Sequence, residues 1–234
     1  MPDVRHNKAK RISRPRTANA ARDRKPRMRV ILVNGSPHAE GCTYTALEEV
    51  AGTLEAEGID AEIFQIGTEP LSGCTACGTC RETGRCRIHD RVNEFLEVAD
   101  DADGYVFGSP VHYAAAGGAI TSFMDRVFFA SRGRCFYLKP AAAVVSARRA
   151  GTTATFDQIN KYFTIAQMPV ISSRYWNMVH GSKPEDVKKD LEGLQIMRVL
   201  ARNMAWFLKC KQAGIRAGVP FPEREEPVAT NFIR

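Results

Sequence analysis

From Met28 onward, short runs rich in apolar and β-branched residues alternate with longer amphipathic stretches, and no other feature constrains the fold as tightly. MRVILV (28–33) reads as a buried strand, TYTALEEVAGTLEAEG (43–58) as a helix closing on Gly58, and DAEIFQI (60–66) as the next strand. RVNEFLEVADDA (91–102) is an amphipathic helix leading into the strand GYVFGS (104–109), and GGAITSFMDRVFFA (117–130) is the helix after it. AAAVVSA (141–147), TATFDQINKYFTIA (153–166) and MPVISS (168–173) give a further strand, helix and fifth strand. Residues 184–210 read as one long helix, opened by Pro184 with acids in its first turn. Buried strands joined by helical crossovers make a parallel sheet covered on both faces. The expected fold class is α/β, a doubly wound five-stranded parallel sheet with helices on both faces.

Charge divides the chain unevenly. Residues 1–27 carry ten Lys/Arg against two Asp, so the overall charge of +7 comes from this segment and the remainder is close to neutral. With few large apolar residues and many like charges it is expected to be a basic disordered tail. It could serve as an arm for nucleic acid or acidic lipid, it could precede a natural start at Met28, or, as a weaker reading, it could be a transit peptide. The rest divides into a folded domain over 28–210, with a cysteine-rich loop at 73–90, and a C-terminal extension at 211–234. No run approaches the ~18 consecutive apolar residues of a membrane helix, and no apolar stretch of an export signal follows the basic start. A cytoplasmic chain without membrane partners is expected.

In a doubly wound sheet, ligands sit beyond the carboxyl ends of the strands. After the first strand comes NGSPHAEGCT (34–43), a Gly/Ser-rich turn at a helix N-terminus. Its backbone N–H groups, helped by the Ser36 and Thr43 hydroxyls, suit a phosphate. It is neither GxGxxG nor a Walker A loop. GSPVHYAAAGG (108–118) follows the third strand and brings His112 and Tyr113 to the same rim, where such a loop suits a flat ring; SARRAGT (146–152) follows the fourth.

These motifs together, NGSPHAEGCT, GSPVHYAAAGGAITSFMDR and VVSARRAG, resemble the flavodoxin-like FMN reductase superfamily, which holds the NAD(P)H-dependent FMN reductases and the iron-sulfur flavoproteins. The resemblance covers roughly 28–210 and implies bound FMN, a flavodoxin-like sheet and an oxidoreductase using NAD(P)H. It implies that Ser36, Gly41, Cys42 and Thr43 hold the phosphate, with His38 also cofactor-binding. Pro110, Val111, His112 and Tyr113 would line the isoalloxazine ring, and Ser146, Arg148 and Gly151 would close its far side. The family commonly has Asn at the position of Cys42, and Tyr or Phe at that of His112.

Cys74, Cys77, Cys80 and Cys86 form C-x2-C-x2-C-x5-C, a spacing that lets one compact loop wrap an iron-sulfur cubane. It is similar to the motif with which iron-sulfur flavoproteins hold a [4Fe-4S] cluster. A tetrathiolate zinc site and a helical turn of free thiols are the alternatives, and disulfides are disfavoured in a reducing compartment. Gly73, Gly78 and Gly84 would relieve backbone crowding around the converging thiols. Cys135 and Cys210 read as buried hydrophobes, Asp125–Arg126 as a structural ion pair or subunit contact, and Trp176 and Trp206, with Phe207, as packing the last helix onto the sheet or a partner subunit.

The function expected is electron passage from NAD(P)H, or a ferredoxin-type carrier, through FMN to a quinone, flavin, metal or other small acceptor. A homodimer or homotetramer is expected, and no side-chain acid or base stands out. Two rival classes are a cysteine-based redox sensor binding nucleic acid through the tail, and a phosphate-ester enzyme. The second lacks an acidic nucleophile after the first strand, where Asn34-Gly35-Ser36 stands.

Overall fold

The computed structural model describes residues 27–232, so the basic tail, except Arg27, lies outside the described residues. The elements in chain order are β1 (Arg29–Asn34), α1 (Cys42–Ala56), β2 (Asp60–Gln65), α2 (Cys80–Thr83), α3 (Arg91–Ala99), β3 (Gly104–His112), β4 (Ala115–Ala116) and α4 (Gly118–Ser131). They continue with β5 (Ala141–Ala147), α5 (Thr152–Ile165), β6 (Met178–His180), α6 (Pro184–Val187) and α7 (Leu191–Arg216). The sheet runs β2-β1-β3-β5-β6, all parallel, and β4 adds a short antiparallel pairing to the end of β3. This is the flavodoxin-like order, with its switch point between β1 and β3.

Side chains of the central strands alternate between two cores, as a sheet covered on both faces requires. Ile31, Val33, Tyr105, Phe107 and Ala143 meet α3, α4 and α5 on one face. Val30, Leu32, Val106, Ala142 and Val144 meet α1 and α7 on the other, where α7 buries Ile196, Met197, Leu200, Ala201, Met204 and Leu208 at helical spacing. No helix among the described residues is long and apolar enough to cross a membrane.

Four expectations change. MPVISS is not the fifth strand: only Val170 bridges Ala141, and the chain then leaves the sheet and returns as β6 at Met178. The buried Asn177 spans this departure, its Nδ2 donating to Ala143 O at 3.0 Å while its own carbonyl accepts from Val145 N at 2.9 Å. A side-chain amide thus satisfies a strand edge that the bulged backbone leaves open. The single helix expected over 184–210 is broken before Leu191 and runs on to Arg216, so the boundary expected at 210 falls inside α7. Asp190 makes the break, accepting from Gly193 N as the cap of α7 and from His180 N of β6. Of the two packings expected for Trp176 and Trp206, the one on the sheet is not found, since both are exposed in the single chain. Cys135 is buried as expected, but Cys210 is exposed.

Burial, reinforced by its hydrogen bond to Asp100, pushes the Cys135 thiol up to about 11 from an ordinary 9.0. The unfolded chain therefore releases this proton first. Stability is expected to be intact below pH 9 and to fall as pH rises toward 11. Comparing thermal unfolding of the wild type and Cys135→Ser across that window checks this: the serine variant should lose less of its own stability with rising pH, and parallel curves would exclude the effect.

Candidate functional site

Three loops converge beyond the carboxyl ends of β1, β3 and β5. Gly35 N donates to Gly108 O at 2.9 Å, tying the first loop to β3, and Thr43 Oγ1 lies 2.8 Å from Ser146 Oγ, tying it to β5. Gly151 has φ +93°, and a Cβ there would stand 2.6 Å from Ala114 Cα and 2.8 Å from Val111 Cγ1, so the third loop closes on the second only through glycine.

The loops frame an open cleft of about 740 Å³. Ser36, His38, Gly41, Cys42 and Thr43 line it from the first loop, Pro110 and Val111 from the second, Ser146 and Arg148 from the third. Gly181, Ser182 and Pro184, after β6, line it too and were not expected. His112, Tyr113 and Gly151 are not among the lining residues. Tyr113 is fully exposed, with φ +49°, and Gly151 serves the packing of the loops.

The shape of the first loop is imposed by side chains that the motif reading passed over. Asn34, wholly buried at the end of β1, accepts from Ser36 N at 3.1 Å and donates to His38 O at 3.3 Å and to Gln65 Oε1 at 2.5 Å. Gln65 completes the brace by donating to Ser36 O at 2.7 Å. Ser36 Oγ accepts from His38 N at 3.1 Å, which leaves its hydroxyl hydrogen to be given elsewhere. No side chain caps α1 at Gly41, so first-turn N–H groups and the positive end of the helix dipole face the cleft. A phosphate fits these donors. Cys42 contributes through its backbone, since its thiol donates to Gly181 O at 3.5 Å. Burial, with Asp186 and Glu185 nearby, pushes that thiol up and keeps it protonated.

The cysteine segment is not a plain loop. Cys80 opens the single turn α2, which Gly84 ends in the left-handed conformation at φ +68°. Gly78 also has positive φ, whereas Gly73 does not. Cys74, Cys77, Cys80 and Cys86 line one recess with Arg87, Arg126 and Phe129. None of the four is in a disulfide. The Thr79 hydroxyl and N–H hold Cys77 at about 7. Burial and then the three other sulfurs push Cys80 up. Among the described residues, no three His, Cys, Asp or Glu side chains are gathered tightly enough for one metal ion. The four side chains nevertheless line one recess as an all-sulfur donor set, of the kind that iron-sulfur clusters and zinc both take.

Two residues hold the Cys86 segment from outside. Asn93, 7% exposed, accepts from Cys86 N at 2.9 Å and donates to Cys86 O at 2.8 Å. Arg126 pairs not with Asp125 but with Asp90, while Asp125 accepts from Tyr162. The sequence signal for Arg126 was an arginine inside the apolar run SFMDRVFF of α4. Arg126 lies eight residues from Gly118 at the start of α4, roughly 12 Å along the helix axis.

Residues 28–183 match the family model described as NADPH-dependent FMN reductase. An iron-sulfur flavoprotein of Methanocaldococcus jannaschii is 32% identical over 192 residues, covering 78% of this chain and 98% of that protein. An iron-sulfur flavoprotein of Methanosarcina thermophila is 24% identical over 189 residues, covering 79% and 97%. Among solved structures, RosB with a bound 8-demethyl-8-formylriboflavin-5'-phosphate intermediate has a TM-score of 0.61 at 14% identity, covering 88% of this chain and 94% of that one. A WrbA-like flavodoxin protein from Agrobacterium tumefaciens has a TM-score of 0.54 at 14% identity, covering 80% and 99%. At such identities the structural likenesses speak for the fold.

Proposed function

The chain belongs to the NADPH-dependent FMN reductase family, and from that premise we propose that it is an FMN-bearing oxidoreductase with a [4Fe-4S] cluster as its second redox group. The observation that carries the cluster is the gathering of Cys74, Cys77, Cys80 and Cys86 on one recess, with the Arg126 guanidinium directed at the Cys86 sulfur. Bound FMN would supply hydride acceptance and stepwise release of electrons, and the cluster would carry electrons one at a time.

The chain's own residues do the holding. Ser36 and the first-turn N–H groups of α1 receive the phosphate, and the Asn34/Gln65 brace keeps that turn in shape before anything binds. Pro110 and Val111 on one side, and Ser146 to Arg148 on the other, would shield the ring from water, and Arg148 adds a positive charge at the cleft. The electron donor is a reduced nicotinamide nucleotide or a ferredoxin-type carrier, and the acceptor a small oxidant such as a quinone or free flavin. The working form is a homo-oligomer, which would cover exposed apolar residues such as Tyr113, Ile165 and Trp206.

Anaerobic reconstitution is expected to yield about four irons and four sulfides per chain. Changing any one of Cys74, Cys77, Cys80 or Cys86 to alanine should cut the iron content, whereas Cys210→Ala and Cys135→Ala should not. FMN content should persist in all six variants, because the cleft and the recess are built from different residues. A wild type that holds no iron, or takes zinc on these thiols, would leave a plain NAD(P)H-dependent FMN reductase as the function.

A further inference from the structure

We propose that Arg126 sets the reduction potential of the group held in the cysteine recess, by fixing a buried positive charge on the sulfur of Cys86. The inference rests on the cluster reading above. Arg126 is 2% exposed in the middle of α4, and its Nε and Nη2 donate to Cys86 Sγ at 3.3 and 3.2 Å. Its other N–H directions are also taken: Nη1 and Nη2 reach the two Asp90 oxygens at 2.6 and 2.9 Å, and further bonds go to Ser72 O and Ile88 O. The guanidinium is therefore held in one orientation, with an edge on the sulfur and the fork on a carboxylate.

Asn93 satisfies both backbone groups of Cys86, so what the guanidinium meets of this residue is its sulfur. The guanidinium's charge, by contrast, acts directly on whatever charge the sulfur shares. When the group on the four sulfurs accepts one electron from its donor, it gains one negative charge and no atom is exchanged. A buried cation hydrogen-bonded to a ligand sulfur stabilises that more negative state, which raises the potential. Asp90 offsets part of this charge while holding the guanidinium in place. Removing the arginine's charge and removing the aspartate's charge should therefore move the potential in opposite directions. Arg87 also lines the recess, but it is exposed and screened by water, so its charge counts for little.

The test uses the full chain reconstituted anaerobically, comparing wild type, Arg126→Gln, Arg126→Lys, Asp90→Asn and Arg87→Gln. Iron content, thermal unfolding and the midpoint of a spectroelectrochemical titration are read for each. Arg126→Gln should lower the one-electron equilibrium constant for reduction at least tenfold, which is about 59 mV for such a couple. Arg126→Lys should lower it less, because the charge remains while the fork is lost. Asp90→Asn should raise it, and asparagine keeps the N-cap that Asp90 provides to Val92 N. Arg87→Gln should leave it in place. A merely structural clamp would lower iron retention or melting temperature in the Arg126 and Asp90 variants alike, without this opposition of sign. Should Arg126→Gln fail to hold its cluster, Arg126→Lys and Asp90→Asn still report the two signs. Unmoved midpoints in iron-loaded variants, or shifts in the same direction, overturn the role of Arg126 alone. A wild type that takes up no iron overturns the cluster reading and this inference together.

Discussion

Replacing Ser36 with aspartate is expected to lower FMN affinity by roughly three orders of magnitude while leaving the apoprotein folded. Ser36 is 4% exposed, at the turn that leads into the uncapped N-terminus of α1. A carboxylate there can accept from His38 N as the serine oxygen does, and it gains from the helix dipole, so the empty protein loses little. A dianionic phosphate brought to the same donors meets a fixed negative charge. Two unit charges 4 Å apart interact by about 4 kcal/mol at an effective dielectric of 20, which corresponds to about a thousandfold in affinity. Ser36→Ala should cost far less, about tenfold, because one hydrogen bond is lost and no charge is introduced. Fluorescence titration of apoprotein with FMN separates the two variants, and equal affinities for wild type and Ser36→Asp would remove the phosphate from this loop.

Phe95→Ala is expected to give the largest loss of stability of any single substitution considered. The ring is wholly buried, edge-on to Phe64 and Phe123 at 5.2 and 5.3 Å between centroids, with Tyr105 and Phe107 at 6.2 and 6.3 Å. Emptying such a site costs about 3–5 kcal/mol, a large part of the ~5–15 kcal/mol by which a domain is stable. The melting temperature should fall by roughly 6–20 °C at this chain length. The damage should also reach the cleft. Phe64 lies beside Gln65, which braces the loop after β1, and Arg91 sits over the Phe64 ring at 4.2 Å while donating to Gln65 O. FMN binding in Phe95→Ala should therefore weaken even at temperatures where the variant remains folded. Differential scanning calorimetry with and without FMN reads both effects, and an unchanged melting temperature would show that the aromatic layer does not anchor α3.

Local pattern carried the order of most elements and the place of the rim loops, because burial imposes periodicity and tight turns between strand and helix favour glycine and short polar residues. The strand AAAVVSA matches β5 residue for residue, and the loops after β1, β3 and β5 supply residues 36–43, 110–111 and 146–148 of the cleft lining, while Gly181, Ser182 and Pro184 were missed. MPVISS misled because apolar content marks burial, not pairing. Ile171 is buried, yet the chain bulges away from β5 and returns through Asn177. The long helix misled for a related reason: Asp190 looks like any acid in an amphipathic stretch until β6 offers His180 N to its side chain.

What the sequence determined by itself was the α/β class, the cleft at the carboxyl edge of the sheet and the four-cysteine segment, since each is written in residues close together along the chain. Only the tertiary structure decided that Asn34 and Gln65, 31 positions apart, brace one turn. It alone decided that Arg126 leaves its neighbour Asp125 for Asp90 and Cys86, 36 and 40 positions away. A buried polar group must find partners wherever the fold delivers them, and for these residues the fold delivers them from other elements.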